Sequence, residues 1–294
     1  MIFRLRKLHV LISIAVIGAI VTTILSLGLA SRDVYERDWS FAASDESYVA
    51  VPIIMYHSVL DGRNNDYVLP IDKLKADLDF LKSNGFNTVV MQDLINFVHY
   101  GDELPENPIM ITFDDGFFNN ITNGENLLKE RGFRAVISIV GEFSQASTDT
   151  GDINERYSYL TWQQISEVVA NGVFEVQNHS WGLHHAGRGY NGAKKSRNES
   201  VEEYEKRLIA DVARLQAHIF AYSGFRPTTF SYPFGANCDE SERILQAFGF
   251  RSTLGAEGGI AVLRPNEPES LFLMPRNNRT PGYATEDFFD RILE

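Results

Sequence analysis

The chain has 294 residues, 44% hydrophobic and 22% charged, which suits one large domain or two small ones and excludes a collagenous, low-complexity or wholly disordered polypeptide. A single cysteine, Cys238, excludes a disulfide scaffold and any cysteine-rich zinc or iron–sulfur site. The formal charge of −12 argues against a nucleic-acid partner.

The N-terminus reads as a membrane segment. Residues 1–30 hold three bases (Arg4, Arg6 and Lys7) and no acid, so the rest of the chain carries 24 bases against 39 acids. Residues 10–30 are uncharged and rich in Ile, Val and Leu. At about 1.5 Å per residue, a helix of that length crosses a hydrocarbon core of about 30 Å. With the bases before the apolar run, the positive-inside rule puts the N-terminus in the cytoplasm and everything after residue 30 outside. The run is longer than a typical signal-peptide core, which favours an uncleaved anchor, while Gly28-Leu29-Ala30 leaves signal-peptide cleavage and secretion as the alternative. Residues 31–50 are polar, acidic and aperiodic and read as a linker, leaving 51–294 as the functional domain.

From residue 51 strands and helices alternate. The apolar runs at 51–56 (VPIIMY), 87–91 (NTVVM), 108–113 (PIMITF), 135–140 (AVISIV), 173–177, 228–232 (TTFSY), 251–254 and 271–275 (LFLMP) read as strands. Between them lie helices at 72–84, 93–100, 126–131, 161–170, 201–222 and 240–248. Asp72 and Thr161 are candidate caps, and Gly85, Gly132 and Gly172 are stops. The longest helix repeats Val201, Tyr204, Leu208, Val212, Leu215 and Ile219 at helical spacing. Stretches 144–160 and 185–200 read as loops. Strands without clean alternation, separated by amphipathic helices, predict an α/β fold with a parallel sheet. A distorted (β/α) barrel of about seven parallel strands fits best, with an open doubly wound sheet second, and the barrel puts chemistry at the C-terminal strand ends.

Polar residues of the right kind collect there. Strand 108–113 ends in Asp114-Asp115-Gly116, strand 173–177 is followed by His179, His184 and His185, strand 51–56 by His57, and strand 228–232 runs into Tyr232-Pro233-Phe234-Gly235. Adjacent carboxylates repel unless a positive charge lies beside them. Asp, His and His together suit Zn²⁺ or a similar divalent ion with open positions for water and substrate. A separation of five between His179 and His184 is not the i, i+4 spacing of two ligands on one helix.

TFDDG (112–116), HSWGLH (179–184) and SYPFG (231–235) resemble the first three motifs of the polysaccharide deacetylases of carbohydrate esterase family 4, which share a domain with rhizobial chitooligosaccharide deacetylases. The resemblance runs from about Val51 to the last strand and implies a distorted (β/α) barrel and a metal, usually zinc, held by Asp115, His179 and His184. The chain departs from the common pattern in three ways. Its histidines are five apart rather than four, no histidine follows His218, and Ser231 and Tyr232 replace the arginine that precedes the third motif's proline. The first two departures resemble the branch that includes poly-N-acetylglucosamine deacetylases, where a Tyr-His pair after the first strand supplies the acid, here Tyr56-His57. The resemblance then implies Asp114 as general base, His57 as acid and a backbone N–H near Phe234 for the oxyanion, and Arg276, after the last strand, is a candidate charge partner in place of the missing arginine. Trp181, and with it Tyr232, are candidates to contact sugar.

The expected function is metal-dependent hydrolysis of N-acetyl groups from an extracytoplasmic GlcNAc-containing polysaccharide, an exopolysaccharide ahead of peptidoglycan or chitin oligomers. The reading of another class, a degenerate polysaccharide-binding or assembly protein, is disfavoured because Asp114, Asp115, His179 and His184 are all present. A two-carboxylate glycosidase would not need the histidines, and its carboxylates would lie on separate elements about 5–9.5 Å apart.

Overall fold

The computed structural model describes residues 48–293 apart from Asn64, Arg188 and Gly189, so the expected anchor and most of the linker lie outside the described residues. Among the described residues, no helix is long and apolar enough to cross a membrane.

The chain opens with β1 (Val49–Tyr56), β2 (Ser58–Val59), β3 (Val68–Leu69), α1 (Ile71–Ser83), β4 (Asn87–Val89), α2 (Met91–Tyr100) and β5 (Pro108–Phe113). A π-helical turn, Asn120–Glu125, leads into α3 (Asn126–Glu130), followed by β6 (Ala135–Ile139), α4 (Gly141–Thr150), α5 (Trp162–Asn171) and β7 (Phe174–Asn178). The short hairpin β8 (Ala186–Gly187) and β9 (Tyr190–Asn191) precedes α6 (Val201–Ser223), β10 (Thr229–Ser231), α7 (Asp239–Phe248) and β11 (Ser252–Leu254). The chain ends with β12 (Ile260–Leu263), β13 (Asn277–Asn278) and α8 (Thr285–Leu293).

The main sheet has the order β11-β10-β7-β6-β5-β1-β12, with β4 beside β5 and β13 beside β1. Every pairing in it is parallel except β1 with β12. Strands β5 and β6 are buried along their whole length, as apolar runs covered on both faces must be. The sheet also returns towards itself. Met274 bridges Leu254 at the end of β11, and Asn277 and Asn278 pair with Ile54 and Met55 of β1. A curled, mostly parallel sheet with helices packed against it is the expected α/β architecture and agrees with a distorted barrel.

The helices form where the sequence signals them. Ser200 accepts from the Glu203 N–H and the Glu203 carboxylate accepts from the Ser200 N–H, a capping box that starts α6. Tyr204, Leu208, Val212, Leu215 and Ile219 form its buried face. They pack with Phe230 and Tyr232 of the β10 strand region and with Ile244 and Leu245 of α7. Burying each large apolar side chain is worth about 1.5–3 kcal/mol. Differences from expectation fall in short elements. Stretch 144–160 begins inside helix α4, and Asp72 lies in the first turn of α1 rather than capping it. The expected strand at 271–275 is a 3₁₀ turn, Pro268–Leu271, followed by the bridge at Met274. Antiparallel β12 follows Gly258-Gly259, where a glycine-rich turn reverses the chain.

Candidate active site

Three turns meet at the C-terminal ends of strands in the same sheet, and each contains a non-glycine residue with left-handed backbone: Asp115 after β5 (φ 69°), Ser180 after β7 (φ 72°) and Phe234 after β10 (φ 59°). Such conformations cost of order 1–3 kcal/mol and persist where the surroundings over-determine them. At the first turn the Asp114 N–H donates to the Tyr56 carbonyl at 2.9 Å. Gly116 follows with φ 74°, and a Cβ there would lie 2.9 Å from Ile139 Cγ2. The DDG turn therefore has room only for glycine at its third position.

Asp115, His179 and His184 each offer one ligand atom, and these atoms lie within 4.8 Å of one another. His179 is buried and its Nδ1 is 2.8 Å from the Ser231 carbonyl, which can only accept. Nδ1 must therefore carry the proton, leaving the Nε2 lone pair to face Asp115 Oδ1 at 3.6 Å. His184 Nε2 approaches the same oxygen at 3.1 Å. That oxygen is buried and has no well-directed hydrogen-bond donor. Two imidazole nitrogens converging on a buried carboxylate oxygen form a donor set that fits a divalent cation. Burial pushes the His179 pKa below its ordinary value. Burial alone would lower His184 as well, but the Asp115 carboxylate raises it above the ordinary range.

Asp114 has a different neighbour. Arg276, only 1% exposed, grips it with a fork: Nη1 donates to Oδ1 and Nη2 to Oδ2, both at 2.8 Å. The guanidinium is itself held by Nε donating to the Gly255 carbonyl at 2.6 Å and Nη1 donating to Thr112 Oγ1 at 3.3 Å. Burial would raise the Asp114 pKa, yet Arg276 and His179 hold it well below the carboxylate range. Across the cavity stands His57, its carbonyl fixed by Asn120 Nδ2 at 2.6 Å and its Nδ1 buried without a partner. Burial lowers its pKa, opposed by Asp114 and Asp115.

These side chains line one cavity of about 410 Å³, bordered also by Tyr67 and Phe234. The structure thus brings together Asp114, Asp115, His57, His179, His184, Arg276 and Phe234. His185 is turned elsewhere, its Nε2 3.0 Å from Glu142 Oε1. Trp181 is not brought to the cavity. It is buried under its own loop, with Arg214 3.8 Å above its ring, and leaves no space for a Cβ at Gly141. Tyr232 borders the cavity but is fully buried, its hydroxyl donating to Ser241 Oγ at 3.0 Å. The aromatic rings that do reach solvent beside the chemistry are Tyr67, 59% exposed and edge-on to His57, and Phe234, 51% exposed and 4.5 Å from the His184 ring. Tyr67 follows a polar, aperiodic stretch, and the only sequence signal for it was an aromatic residue where none is needed for packing.

A curled α/β sheet that presents an Asp-His-His cluster able to hold a cation, a second carboxylate and a facing histidine has the groups a hydrolase needs. Residues 101–253, just over half of the chain, match the family model described as polysaccharide deacetylase. The chain belongs to the polysaccharide deacetylase family, and as such it is a hydrolase of carbon–nitrogen amide bonds, a polysaccharide N-deacetylase. Among similar curated proteins, YxkH of Bacillus subtilis, assigned by name to the polysaccharide deacetylases, is 24% identical over 253 residues, 86% of this chain and 80% of that one. The poly-beta-1,6-N-acetyl-D-glucosamine N-deacetylase of Escherichia coli K12 is 24% identical over 229 residues, 71% of this chain and 34% of that one, so the chain spans about a third of that enzyme's length. The solved structure of IcaB from Ammonifex degensii superposes with a TM-score of 0.65 at 25% identity, covering 79% of this chain and 92% of that one.

Proposed function

We propose that the chain removes N-acetyl groups from a GlcNAc-containing exopolysaccharide outside the cytoplasm, with Zn²⁺ or a similar divalent ion held by Asp115, His179 and His184. The observation that carries this is the division of labour between the two aspartates. Asp115 faces ring nitrogens of two histidines, while Asp114, the next residue, is bound on both oxygens by Arg276.

A bound dication supplies Lewis acidity, polarising the acetyl carbonyl and making water nucleophilic near neutral pH. Asp114 accepts the water's proton. Arg276 keeps it ionised and aimed, at the cost of basicity, so Asp114 suits a water already acidified. The Phe234 N–H is assigned to the developing oxyanion. Phe234 lines the cavity, and the neighbouring Gly235 and Ala236 N–H groups are engaged within the turn, donating to Tyr232 and Pro233 carbonyls at 2.9 and 3.0 Å. His57, on the cavity wall, delivers the proton to the departing amine. Tyr67 and Phe234 offer apolar ring faces to sugar rings on either side of the reacting residue.

The choice of polymer rests on likeness to the E. coli enzyme, whose name gives poly-β-1,6-N-acetyl-D-glucosamine as substrate. Extracytoplasmic placement rests on the basic flank before the apolar run at 10–30. Two experiments test the reading. Acetate release by the purified chain should be greater from poly-β-1,6-GlcNAc than from peptidoglycan or chitin oligomers, and greater release from either of those would reassign the substrate. A reporter fused after residue 40 should be active only outside the cytoplasm.

A further inference from the structure

The five-residue spacing of His179 and His184 leaves a span, 180–183, whose shape no helix provides. In it four consecutive backbone N–H groups are bonded to side chains. Ser180 donates to Asn178 Oδ1 at 2.9 Å, Trp181 to Asp211 Oδ1 at 2.7 Å, Gly182 to Asp211 Oδ2 at 2.8 Å and Leu183 to Ser180 Oγ at 3.2 Å. Successive N–H groups made concave by a left-handed residue form an anion nest, and Ser180 supplies the turn with φ 72°. The occupant is a carboxylate of this same chain. Asp211 stands on α6 next to Val212, whose carbonyl accepts from Asn178 Nδ2 at 3.2 Å, so one turn of α6 holds both the start and the middle of the span. The opposite side is tied as well: the Ser180 and Trp181 carbonyls accept from the N–H groups of Gly141 and Glu142 at 3.0 and 2.8 Å. A span fixed on both sides delivers His184 back to Asp115 after one more residue than a four-residue spacing would use.

We propose that Asp211 is a positioning residue for the metal site: its carboxylate, bonded to the Trp181 and Gly182 N–H groups, sets the loop geometry that points His184 at Asp115. This rests on the metal-site reading above. Removing the support of a metal ligand typically weakens metal binding 10–100-fold.

The test is zinc affinity of the full-length chain, measured by competition with a chromophoric chelator. Asp211→Asn replaces one acceptor oxygen by an NH₂ group that faces an N–H donor. It should weaken zinc binding by about 10–100-fold. It should lower the melting temperature of the metal-free protein by only about 2–4 °C, the scale of one lost hydrogen bond. Acetate release should recover to within about threefold of wild type at saturating zinc, because all three ligands remain. Ser180→Gly, which keeps the left-handed turn but removes the Leu183 acceptor, should weaken zinc binding in the same direction, and it decides the matter if Asp211→Asn does not fold. A merely structural Asp211 would lower the melting temperature without changing zinc affinity, and affinities within about twofold of wild type for both variants would overturn the proposal. The affinity measurement needs no substrate, so a wild-type chain that binds zinc but releases no acetate refutes the functional reading alone.

Discussion

Arg276 is the residue whose removal separates this account from a simple ion-pair reading. Both of its terminal nitrogens are spent on Asp114 and its Nε on the Gly255 carbonyl, with Nη1 also reaching Thr112, all in a buried setting. Arg276→Met leaves the Asp114 carboxylate buried without its cation. Breaking a buried pair in this way costs about 3–5 kcal/mol, which for a domain of this size lowers the melting temperature by roughly 6–20 °C. Burial, the largest influence on Asp114, then acts against His179 and His57 alone and raises its pKa relative to wild type. Asp114 must be ionised to accept a proton, so the acidic limb of the acetate-release profile should move to higher pH. The rate at neutral pH should fall by about 10²–10⁴. Arg276→Lys, which keeps the charge but not the fork, should lie between. Adding Asp114→Asn to Arg276→Met removes the stranded charge, so the pair should be less destabilised than the two single costs combined, by about 1–3 kcal/mol in thermal or urea unfolding. An Arg276→Met enzyme with an unmoved acidic limb and activity within about threefold of wild type would show that Arg276 does not hold Asp114 ionised.

Other perturbations should give distinct results. Asp114→Asn should nearly abolish acetate release from both an N-acetyl sugar and an aryl acetate while metal stays bound. His57→Ala should slow the amide by about 10²–10⁴ but the activated ester much less, because an aryloxide leaves without protonation; equal losses on both would remove His57 as the acid. Because burial lowers the His57 pKa, its protonated fraction declines from below pH 6.5 upward, and the amide rate should fall with rising pH sooner than the ester rate. Tyr67→Ala should raise KM for polymer with little change for an aryl acetate, and an unchanged polymer KM would remove Tyr67 from the substrate path. Asp77→Ala strands Arg279, whose Nε and Nη2 donate to it at 2.8 and 3.0 Å in a fully buried setting. It should cost about 3–5 kcal/mol in unfolding free energy without altering zinc affinity in the folded protein.

What could be read from the sequence was what local pattern encodes. Asp114, Asp115, His179 and His184 announce themselves because strand ends are where a parallel α/β sheet places chemistry, and the apolar runs locate those ends. Arg276 was visible as a cation after the last strand, but its hold on Asp114 spans 162 residues and depends on the return of residues 274–278 to β1. Trp181 looked like a sugar platform because it lies between two candidate ligands. Its burial is set by Gly141 and Arg214, which are distant in sequence. Asp211 lies one position off the apolar stripe of α6, and no local pattern marks it because its partners are backbone N–H groups 29 and 30 residues earlier. Antiparallel β12 and two-residue β13 are too short to carry a periodicity.

The central claim is that Asp115, His179 and His184, and not His185, hold a metal ion needed for deacetylation. The most direct measurement is metal content of the purified full-length chain beside acetate release, for wild type and for Asp115→Ala, His179→Ala, His184→Ala and His185→Ala. Wild type and His185→Ala should each hold about one zinc or similar ion per chain and be active, and the other three should lose metal and activity together. Wild-type rates from metal-free protein, or a His185→Ala chain stripped of metal while His184→Ala keeps it, would contradict that claim.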